Sequence, residues 1–414
     1  MQFEIIPTVS IIITGNKMQH LFVVKFLMLA LGVWPIKLLD YKSIHPWILK
    51  VYSKYYYISW TFLAMFEVSQ YILLIILINE GNKGAEILEV LSISILYTMN
   101  LYKINCCRSK NIQSLLFWIT ENEQQAIATD DEEIIKIQKK HSLQAHISSV
   151  LHVSTATLCV LTYVFYPIYA NKQENLEGCD KKLIFSSWFP FDRSEYYFWA
   201  LTIQFFGGYY GSSYAVYVDS LFFTIMIYCV GQMKILQHYL RNTNKYSGQY
   251  QKRTGCTLEE AQTVVVKSLI DKHKEIINCV ELLDEVISIL MLMDFILFSI
   301  KQAILIIQFV NNPVINFESM RVLTFIIAVF LQIAFIYWNA NAIFLESTEG
   351  ISSAIFNGDW YLLNQKSQKD LLLMMMRTNV PSRISIGPFS TVNLQAALQI
   401  IKSIYSYVAV MYQK

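Results

Sequence analysis

Six residues near the C-terminal end of the chain recur at the spacing of one helical face. They follow one another at steps of four, three, four, four and three residues, and they are Gln395, Gln399, Lys402, Ser406, Val410 and Gln413. At about 100° per residue, their side chains fall within roughly an 80° arc of a helix, which we call the polar stripe. All of these side chains except Val410 carry hydrogen-bond donors or acceptors, and lipid chains offer no partners for them. On a membrane helix the polar stripe must therefore face water or protein.

Two arrangements fit the polar stripe. On a water-filled path it would offer polar groups to ions, and Val410 would form an apolar constriction of the kind that gates pores by dewetting. On a helix that faces the middle of its own bundle, each amide would pair with a neighbouring side chain. The spacing alone leaves both arrangements open.

A second group of residues combines apolar and aromatic side chains with occasional hydroxyls in the outer halves of four predicted spans. Its members are Leu91, Ser94, Ile95, Thr155, Cys159, Thr162, Tyr209, Ser212, Ser213, Phe325 and Gln332. Apolar pockets with few polar groups suit small volatile or lipophilic ligands. The group predicts such a pocket, although ordinary packing between helices uses the same residue types.

Other chemistry is missing from the sequence. It contains no nucleophile elbow, Walker loop, H-E-x-x-H or kinase signature, and its seven histidines are scattered. The seven cysteines do not form C-x-x-C pairs at zinc spacing, and no nucleic-acid-binding pattern occurs. We therefore expect no enzyme, no metal site, no cofactor and no nucleic-acid partner.

Composition indicates what must position these residues. With 54% hydrophobic and 15% charged residues and a mean hydropathy of +0.38, the chain is too apolar for an ordinary soluble domain. Only 14 glycines and 8 prolines occur, which favours long uninterrupted helices. The sequence predicts an all-α membrane protein with seven transmembrane helices. The predicted spans are 51–78, 85–104, 143–169, 197–230, 280–310, 320–344 and 389–413.

These spans make the whole chain, 1–414, a single seven-helix unit without internal repeats. Its predicted parts are an inner-surface segment over 1–50, six spans with cytosolic helix extensions over 51–344, a cytosolic anchor segment over 345–386 and the last helix over 387–414. The outer loop 171–196 contains Trp188, Phe189 and Phe191, which predicts a folded lid rather than a loose linker, and a loosely packed loop is the alternative.

The distribution of positive charge predicts the orientation. Most lysines and arginines, Lys103 among them, fall in the segments assigned to the inner side. The outer side holds only Lys83, Lys172, Lys181, Lys182, Arg193, Arg321 and Lys414. Positive charge concentrates on the cytosolic side, so we expect a cytosolic N-terminus and an extracellular C-terminus.

The C-terminal part resembles the insect odorant receptor family. The matching segments are SAIFNGDWY at 353–361, KDLL at 369–372, MMR at 375–377, Pro381, GPF at 387–389 and YSY at 405–407, together with GVWP at 32–35. The tail does not match the family's shared coreceptor, and the second inner loop lacks the coreceptor's long insertion. The chain therefore looks like an odorant-binding tuning subunit.

The resemblance implies a ligand-gated, non-selective cation channel. In that family four subunits surround a pore lined by the last helix, usually with the coreceptor supplying some of them. Val410 matches the position of the hydrophobic gate and Gln413 the neighbouring pore glutamine. The implied partners are a small volatile odorant, the coreceptor, permeant cations and the cell membrane of a sensory neuron dendrite. Lys402 is less expected, because a cation beside a cation path repels permeant ions.

Two other functions remain open. A gustatory receptor channel would share the architecture, but its usual tail motif, T-Y-x-x-x-x-Q-F, is absent, since Lys414 follows Gln413. A seven-span receptor that signals through a G protein would have the opposite orientation.

Overall fold

Helices make up most of the chain in the computed structural model, which describes residues 20–38, 45–81, 84–127, 131–176, 181–311 and 316–412. The helices are α1 (Phe22–Ala30), α2 (Pro46–Asn79), α3 (Gly84–Cys107), α4 (Lys110–Ile127), α5 (Glu132–Gln173), α6 (Tyr197–Arg241), α7 (Thr243–Thr254), α8 (Leu258–Asn311), α9 (Phe317–Leu345), α10 (Ile351–Phe356), α11 (Gln365–Arg377) and α12 (Leu394–Tyr412). A π-helical turn, Glu346–Gly350, joins α9 to α10, so the chain stays helical from Phe317 to Phe356. The structure is mostly helical, as the composition predicts.

Several predictions fall on residues outside these ranges. They concern Gln413 and Lys414, Lys83 in the predicted outer turn, and parts of the inner-surface segment, residues 1–19 and 39–44.

Five described helices are long and apolar enough to cross a membrane. They are Pro46–Asn79, Glu132–Gln173, Tyr197–Arg241, Leu258–Val310 and Phe317–Phe356. Helices α3 and α12, which contain the second and seventh predicted spans, do not reach that standard. Seven spans therefore stay a prediction.

Side chains at the helix starts supply hydrogen-bond acceptors that the first turns lack. Asp131 Oδ1 accepts from the Glu133 backbone N–H at 3.0 Å and caps α5. Asn316 and Ser319 form a reciprocal capping box at the start of α9. Such caps satisfy otherwise unpaired N–H groups and fix where a helix begins.

The last helix begins later than the sequence predicts. Residues 389–393 are not helical, because Ser390–Thr391 (β2) pairs antiparallel with Ser385–Ile386 (β1) in a short hairpin. The hairpin lies on α8, where Asp284 Oδ1 accepts from the Ser385 N–H at 2.6 Å. Asn393 Oδ1 then accepts from the Ala396 N–H at 2.8 Å and starts α12. The predicted start at 389 is therefore wrong.

Helix α6 lies at the centre of the bundle. Of its most apolar 18-residue window 83% is buried, against 22–39% in the other four long apolar helices. It packs against α1, α2, α3, α5, α8 and α9. Two glycines allow close approach, since a Cβ at Gly207 would lie 2.8 Å from the Phe66 ring and one at Gly211 would lie 2.6 Å from the Tyr97 ring. Both glycines therefore make room for aromatic side chains of neighbouring helices.

We expect the substitution Gly211→Ala to destabilise the protein by about 1–3 kcal/mol, because the added methyl group overpacks the contact with Tyr97. Gly248→Ala in α7 is the matched control, since a Cβ there meets nothing within 4 Å. The control should leave stability unchanged or raise it by up to about 1 kcal/mol. Thermal unfolding of the purified protein in detergent measures both, and equal midpoints for the two variants would contradict the packing argument.

Candidate functional site

The described part of the polar stripe lies on an exposed face of α12. Gln395, Gln399, Lys402 and Ser406 are all exposed, whereas the face of α12 that packs on α8 and α9 is formed by the buried residues Ala396, Ile400 and Ile404. The arrangement in which the stripe faces its own bundle requires these polar side chains to be buried, and the four described ones are exposed. Val410 lies within α12, but its side chain is outside the described part, and so is the whole of Gln413.

The residues predicted to form the ligand pocket separate into two groups. Thr162 and Phe325 lie in the same contact between α5 and α9. The Thr162 and Thr324 hydroxyl oxygens are 3.0 Å apart there, and the Tyr163 and Phe325 ring centroids are 6.0 Å apart. Cys159 is buried one turn before Thr162 on α5. Its carbonyl oxygen accepts a hydrogen bond of 2.7 Å from the Thr162 hydroxyl. The Thr162–Thr324 and Tyr163–Phe325 contacts join α5 to α9.

The other predicted pocket residues face different surroundings. Leu91 belongs to a small apolar cluster with Leu74, Leu77 and Val90, and Ile95 packs against the main core. Thr155, Ser94 and Ser212 donate to carbonyls of their own helices. Ser213 is buried, and Tyr209 is exposed and stacks on Phe205. Gln332 donates to a buried carboxylate described below.

Five aromatic rings form an outer aromatic cluster that sequence reasoning missed, apart from Phe325. Phe66 of α2 lies 5.1 Å from Tyr97 of α3 and 6.5 Å from Phe185 of the outer loop. Tyr163 of α5 stacks on Phe185 at 6.4 Å and reaches Phe325 of α9. The cluster lines α6 where Gly207 and Gly211 leave space. The available signal was this glycine spacing, Gly207, Gly208 and Gly211, within an aromatic helix.

The part of the outer loop that the structure describes after the gap, residues 181–196, is held on the helices by two buried glutamines. Gln204 Oε1 accepts from the N–H groups of Ile184 and Phe185 at 2.9 and 3.2 Å, and its Nε2 donates to the Ser187 hydroxyl at 3.0 Å. Gln70 Nε2 donates to the same hydroxyl at 2.6 Å. These bonds hold Phe185 in the outer aromatic cluster.

A groove between α2 and α6 provides a cavity of about 230 Å³. Its lining consists of Tyr55, Ile58, Ser59, Phe62, Phe206 and Tyr210. None of the predicted pocket residues lines it, although Tyr209 is the neighbour of Tyr210 in the chain.

The interior also contains a buried ion-pair cluster. Lys103 Nζ of α3 lies 2.8 and 3.0 Å from the two carboxylate oxygens of Asp219 in α6, and 3.1 Å from Asp294 Oδ2 in α8. Gln332 of α9 donates to Asp219 Oδ2 at 2.6 Å. Lys103, which the sequence places among the positive charges of the inner segments, is thus buried between helices. Gln332, a predicted ligand-binding residue, donates to Asp219, one of the carboxylate partners of Lys103.

Comparisons with known proteins give one consistent result. The family model described as 7tm Odorant receptor matches residues 83–405. Odorant receptor 10 of Aedes albopictus is 22% identical over 279 residues, which cover 67% of this chain and 70% of that protein. Odorant receptor Or2 of Anopheles gambiae is 26% identical over 191 residues, which cover 45% and 49%. The structure of the insect olfactory receptor OR5 from Machilis hrabei in complex with eugenol superimposes with a TM-score of 0.80 at 15% identity, covering 95% of this chain and 97% of that one, which establishes the likeness in fold.

We expect Lys103→Met to lower the free energy of unfolding by about 3–5 kcal/mol, because it leaves Asp219 and Asp294 buried without their cation. Lys136→Met is the control, since its 3.5 Å pair with Glu133 is exposed and such pairs contribute about 0–1 kcal/mol. The measurement is detergent-solubilised thermal unfolding.

Asp294→Asn sharpens this test. It should cost less than Lys103→Met, because Lys103 keeps both contacts with Asp219 and the cluster loses its excess negative charge. An Asp294→Asn protein that unfolds earlier than Lys103→Met would show that the ion pairs do not hold the cluster together.

Proposed function

This chain belongs to the 7tm odorant receptor family, and from that membership we propose that it is the odorant-binding subunit of a ligand-gated, non-selective cation channel. As a family member it is a transmembrane receptor of olfaction, not a member of an enzyme family. It works in the cell membrane, in the dendrite of a sensory neuron, and it assembles with coreceptor subunits around a central pore. The family match favours this function over a gustatory receptor or a G-protein-linked receptor.

The proposed topology has seven spans with a cytosolic N-terminus. Five are the long apolar helices, and α3 and α12 supply the other two. The 24 residues of α3 and the 19 of α12 extend about 36 and 28 Å at about 1.5 Å per residue, close to the roughly 30 Å of a hydrocarbon core. Seven spans bring the C-terminus to the outer side, in agreement with the excess of lysine and arginine in the inner segments.

The exposed polar face of α12 carries the channel proposal. A helix that packs its apolar side on α8 and α9 and leaves Gln395, Gln399, Lys402 and Ser406 exposed needs water or other subunits on that face. A central pore between subunits supplies both. In this arrangement Val410 forms the apolar gate, and Gln413 follows it towards the outer mouth.

The ligand site in this proposal is the outer aromatic cluster. It offers aromatic rings from five elements together with the neighbouring hydroxyls of Thr162 and Thr324, which suits a small volatile odorant. The similar OR5 structure contains eugenol, and we infer a ligand of comparable size for this chain. Of the residues predicted from sequence, Thr162, Cys159 and Phe325 belong to this site.

Gating requires the ligand to favour one arrangement of the helices. Phe325 lies on α9, and α9 packs against both α8 and α12. An odorant that binds the cluster more tightly when α12 has moved outward shifts the population towards a dilated Val410 gate, because a ligand shifts an equilibrium only by its differential affinity.

Assembly with the coreceptor is supported by an exposed apolar face in the anchor segment. Leu372, Leu373 and Met376 of α11 are 58–63% exposed, and Val380 just beyond it is 60% exposed. In the proposed topology this face lies in the cytosol, where a contiguous apolar surface indicates a contact with another protein chain. A neighbouring subunit is the partner that the channel requires.

Thiol labelling tests the pore. We expect Gln399→Cys and Ser406→Cys, expressed with a coreceptor, to lose odorant-evoked current by at least about half when a charged, membrane-impermeant thiol reagent is applied. Leu398→Cys, on a neighbouring exposed apolar position of α12, is the control and should keep its current. Equal sensitivity of all three variants, or of none, would remove α12 from the pore.

Dose–response curves test the ligand site. We expect Phe325→Ala to raise the half-maximal odorant concentration by about tenfold or more, because one lost aromatic contact removes roughly 1.4 kcal/mol of binding. Phe198→Ala is the control, since that ring is 79% exposed at the start of α6. A shift of the same size in both variants would place the odorant elsewhere.

A further inference from the structure

One face of α2 changes from cationic to apolar along the helix. Its residues follow one another at steps of four, three, four, four, three and seven, and at about 100° per residue they fall within roughly an 80° arc. They are Lys50, Lys54, Tyr57, Thr61, Met65, Val68 and Ile75, and all of them are exposed. On a membrane-spanning helix, an exposed apolar face of this kind contacts lipid.

The two lysines of this face lie at the depth of phospholipid headgroups. Residues 58–78 of α2 cover about 30 Å at about 1.5 Å per residue, which is the thickness of a hydrocarbon core. Lys54 and Lys50 lie about 6 and 12 Å beyond the start of that stretch. The tyrosines around position 57 mark the boundary, as aromatic residues do at membrane interfaces.

Arg108 brings a third cation to the same end of α2. It directly follows the last residue of α3, and its guanidinium carbon is 3.8 Å from the centroid of the Tyr56 ring and 5.8 Å from that of Tyr57. Tyr57 is one turn from Lys54, and Cβ atoms three residues apart on a helix are about 5–6 Å apart. The contact with Tyr57 therefore places Arg108 beside the lysine face. We call Lys50, Lys54 and Arg108 the inner basic site.

The inner basic site has no anion among the described residues. Its three side chains are exposed and form no ion pair or hydrogen bond there. The sequence contains no Asp or Glu over 41–66 or 90–120. Glu285 of α8 approaches at Asn111, whose Nδ2 donates to it at 3.0 Å. Like charges held together in this way attract an anion from outside the chain.

We propose that the inner basic site binds the headgroup of an anionic phospholipid, whose acyl chains lie along the apolar part of the same face of α2. The Arg108 guanidinium donates to phosphate oxygens, and the two ammonium groups add positive charge. Clusters of Lys and Arg beside a spanning helix bind acidic lipids in this way. The Thr61 hydroxyl already donates to the Tyr57 carbonyl at 2.8 Å, so it is satisfied next to the acyl chains. The location in the cytosolic leaflet rests on the proposed topology.

Lipid-induced stabilisation of the purified full chain in a nonionic detergent tests the proposal without relying on channel activity. The probes are dioctanoyl phosphatidic acid, dioctanoyl phosphatidylcholine and glycerol phosphate. We expect phosphatidic acid to raise the unfolding midpoint by a few degrees, at concentrations at least about tenfold lower than phosphatidylcholine. Equal effects of the two lipids would overturn the proposal. Stabilisation by glycerol phosphate at the same concentrations as the lipid would assign the site to a soluble phosphate and would also overturn it.

Variants identify the residues. Arg108→Gln and Lys54→Gln should each weaken binding of phosphatidic acid by about fivefold, the loss expected for one cation near a membrane surface. Lys366→Gln is the control, because it removes the same charge from an exposed position of α11 and should leave binding unchanged. If Arg108→Gln does not fold without its ring contacts, the double variant Lys50→Gln/Lys54→Gln removes no described contact and should weaken binding by about 25-fold. Unchanged binding in these variants, or an equal loss in Lys366→Gln, would overturn the proposal.

Thiol labelling of intact cells separates the lipid site from the topology. A membrane-impermeant reagent should label Lys50→Cys above the background of the unsubstituted chain only after permeabilisation. Labelling from outside would overturn the cytosolic location together with the proposed topology. A loss of lipid affinity in Arg108→Gln would still support the inner basic site in that case.

Discussion

The ammonium group of Lys103 determines how four helices fit together, because its carboxylate partners come from different helices. It joins α3 to Asp219 of α6 and Asp294 of α8, and Gln332 brings in α9 through Asp219. Inside a membrane protein, water cannot compensate these charges, so α3, α6 and α8 can rotate or slide only by separating a charge from its partner. The cluster therefore fixes the rotation of α6 and, with it, the face that Gly207 and Gly211 present to the aromatic rings.

The same constraint reaches both ends of the proposed mechanism through α8. This helix carries Lys301 beside the outer aromatic cluster, Asp294 in the ion-pair cluster and Asp284, which holds the hairpin before α12. Helix α12 packs directly on it. In the proposed mechanism, a ligand that displaces the Lys301 end of α8 would act on a helix anchored at Asp294. A small tilt of α8 would then displace α12, which packs on it.

Local patterns and distant contacts differ in how far the sequence reveals them. The long helices were predictable from hydropathy and few prolines, and the 3.6-residue period already placed Gln395, Gln399, Lys402 and Ser406 on one face of a helix. Lys103 was misassigned to the inner surface, because its partners lie 116 and 191 residues away and no local signal distinguishes a buried lysine from a solvated one. The outer aromatic cluster was missed for the same reason, and α12 was predicted to start too early because the pairing of β1 with β2 leaves no hydropathy signal.

The charge of Lys402 bears on how many copies of this subunit the proposed channel contains. It is exposed on the same face of α12 as Gln399 and Ser406, so each copy of this subunit would add one positive charge to the proposed cation path. A permeant ion about 10 Å away is repelled by roughly 0.4 kcal/mol per lysine in bulk water and by roughly 1.7 kcal/mol at an effective dielectric constant of 20. At a dielectric constant of 20, the four lysines of a tetramer would together repel the ion by about 7 kcal/mol, which is a prohibitive barrier. One or two copies among coreceptor subunits would leave a barrier that permeant ions cross. The charge on α12 thus favours a mixed assembly over a tetramer of this chain alone.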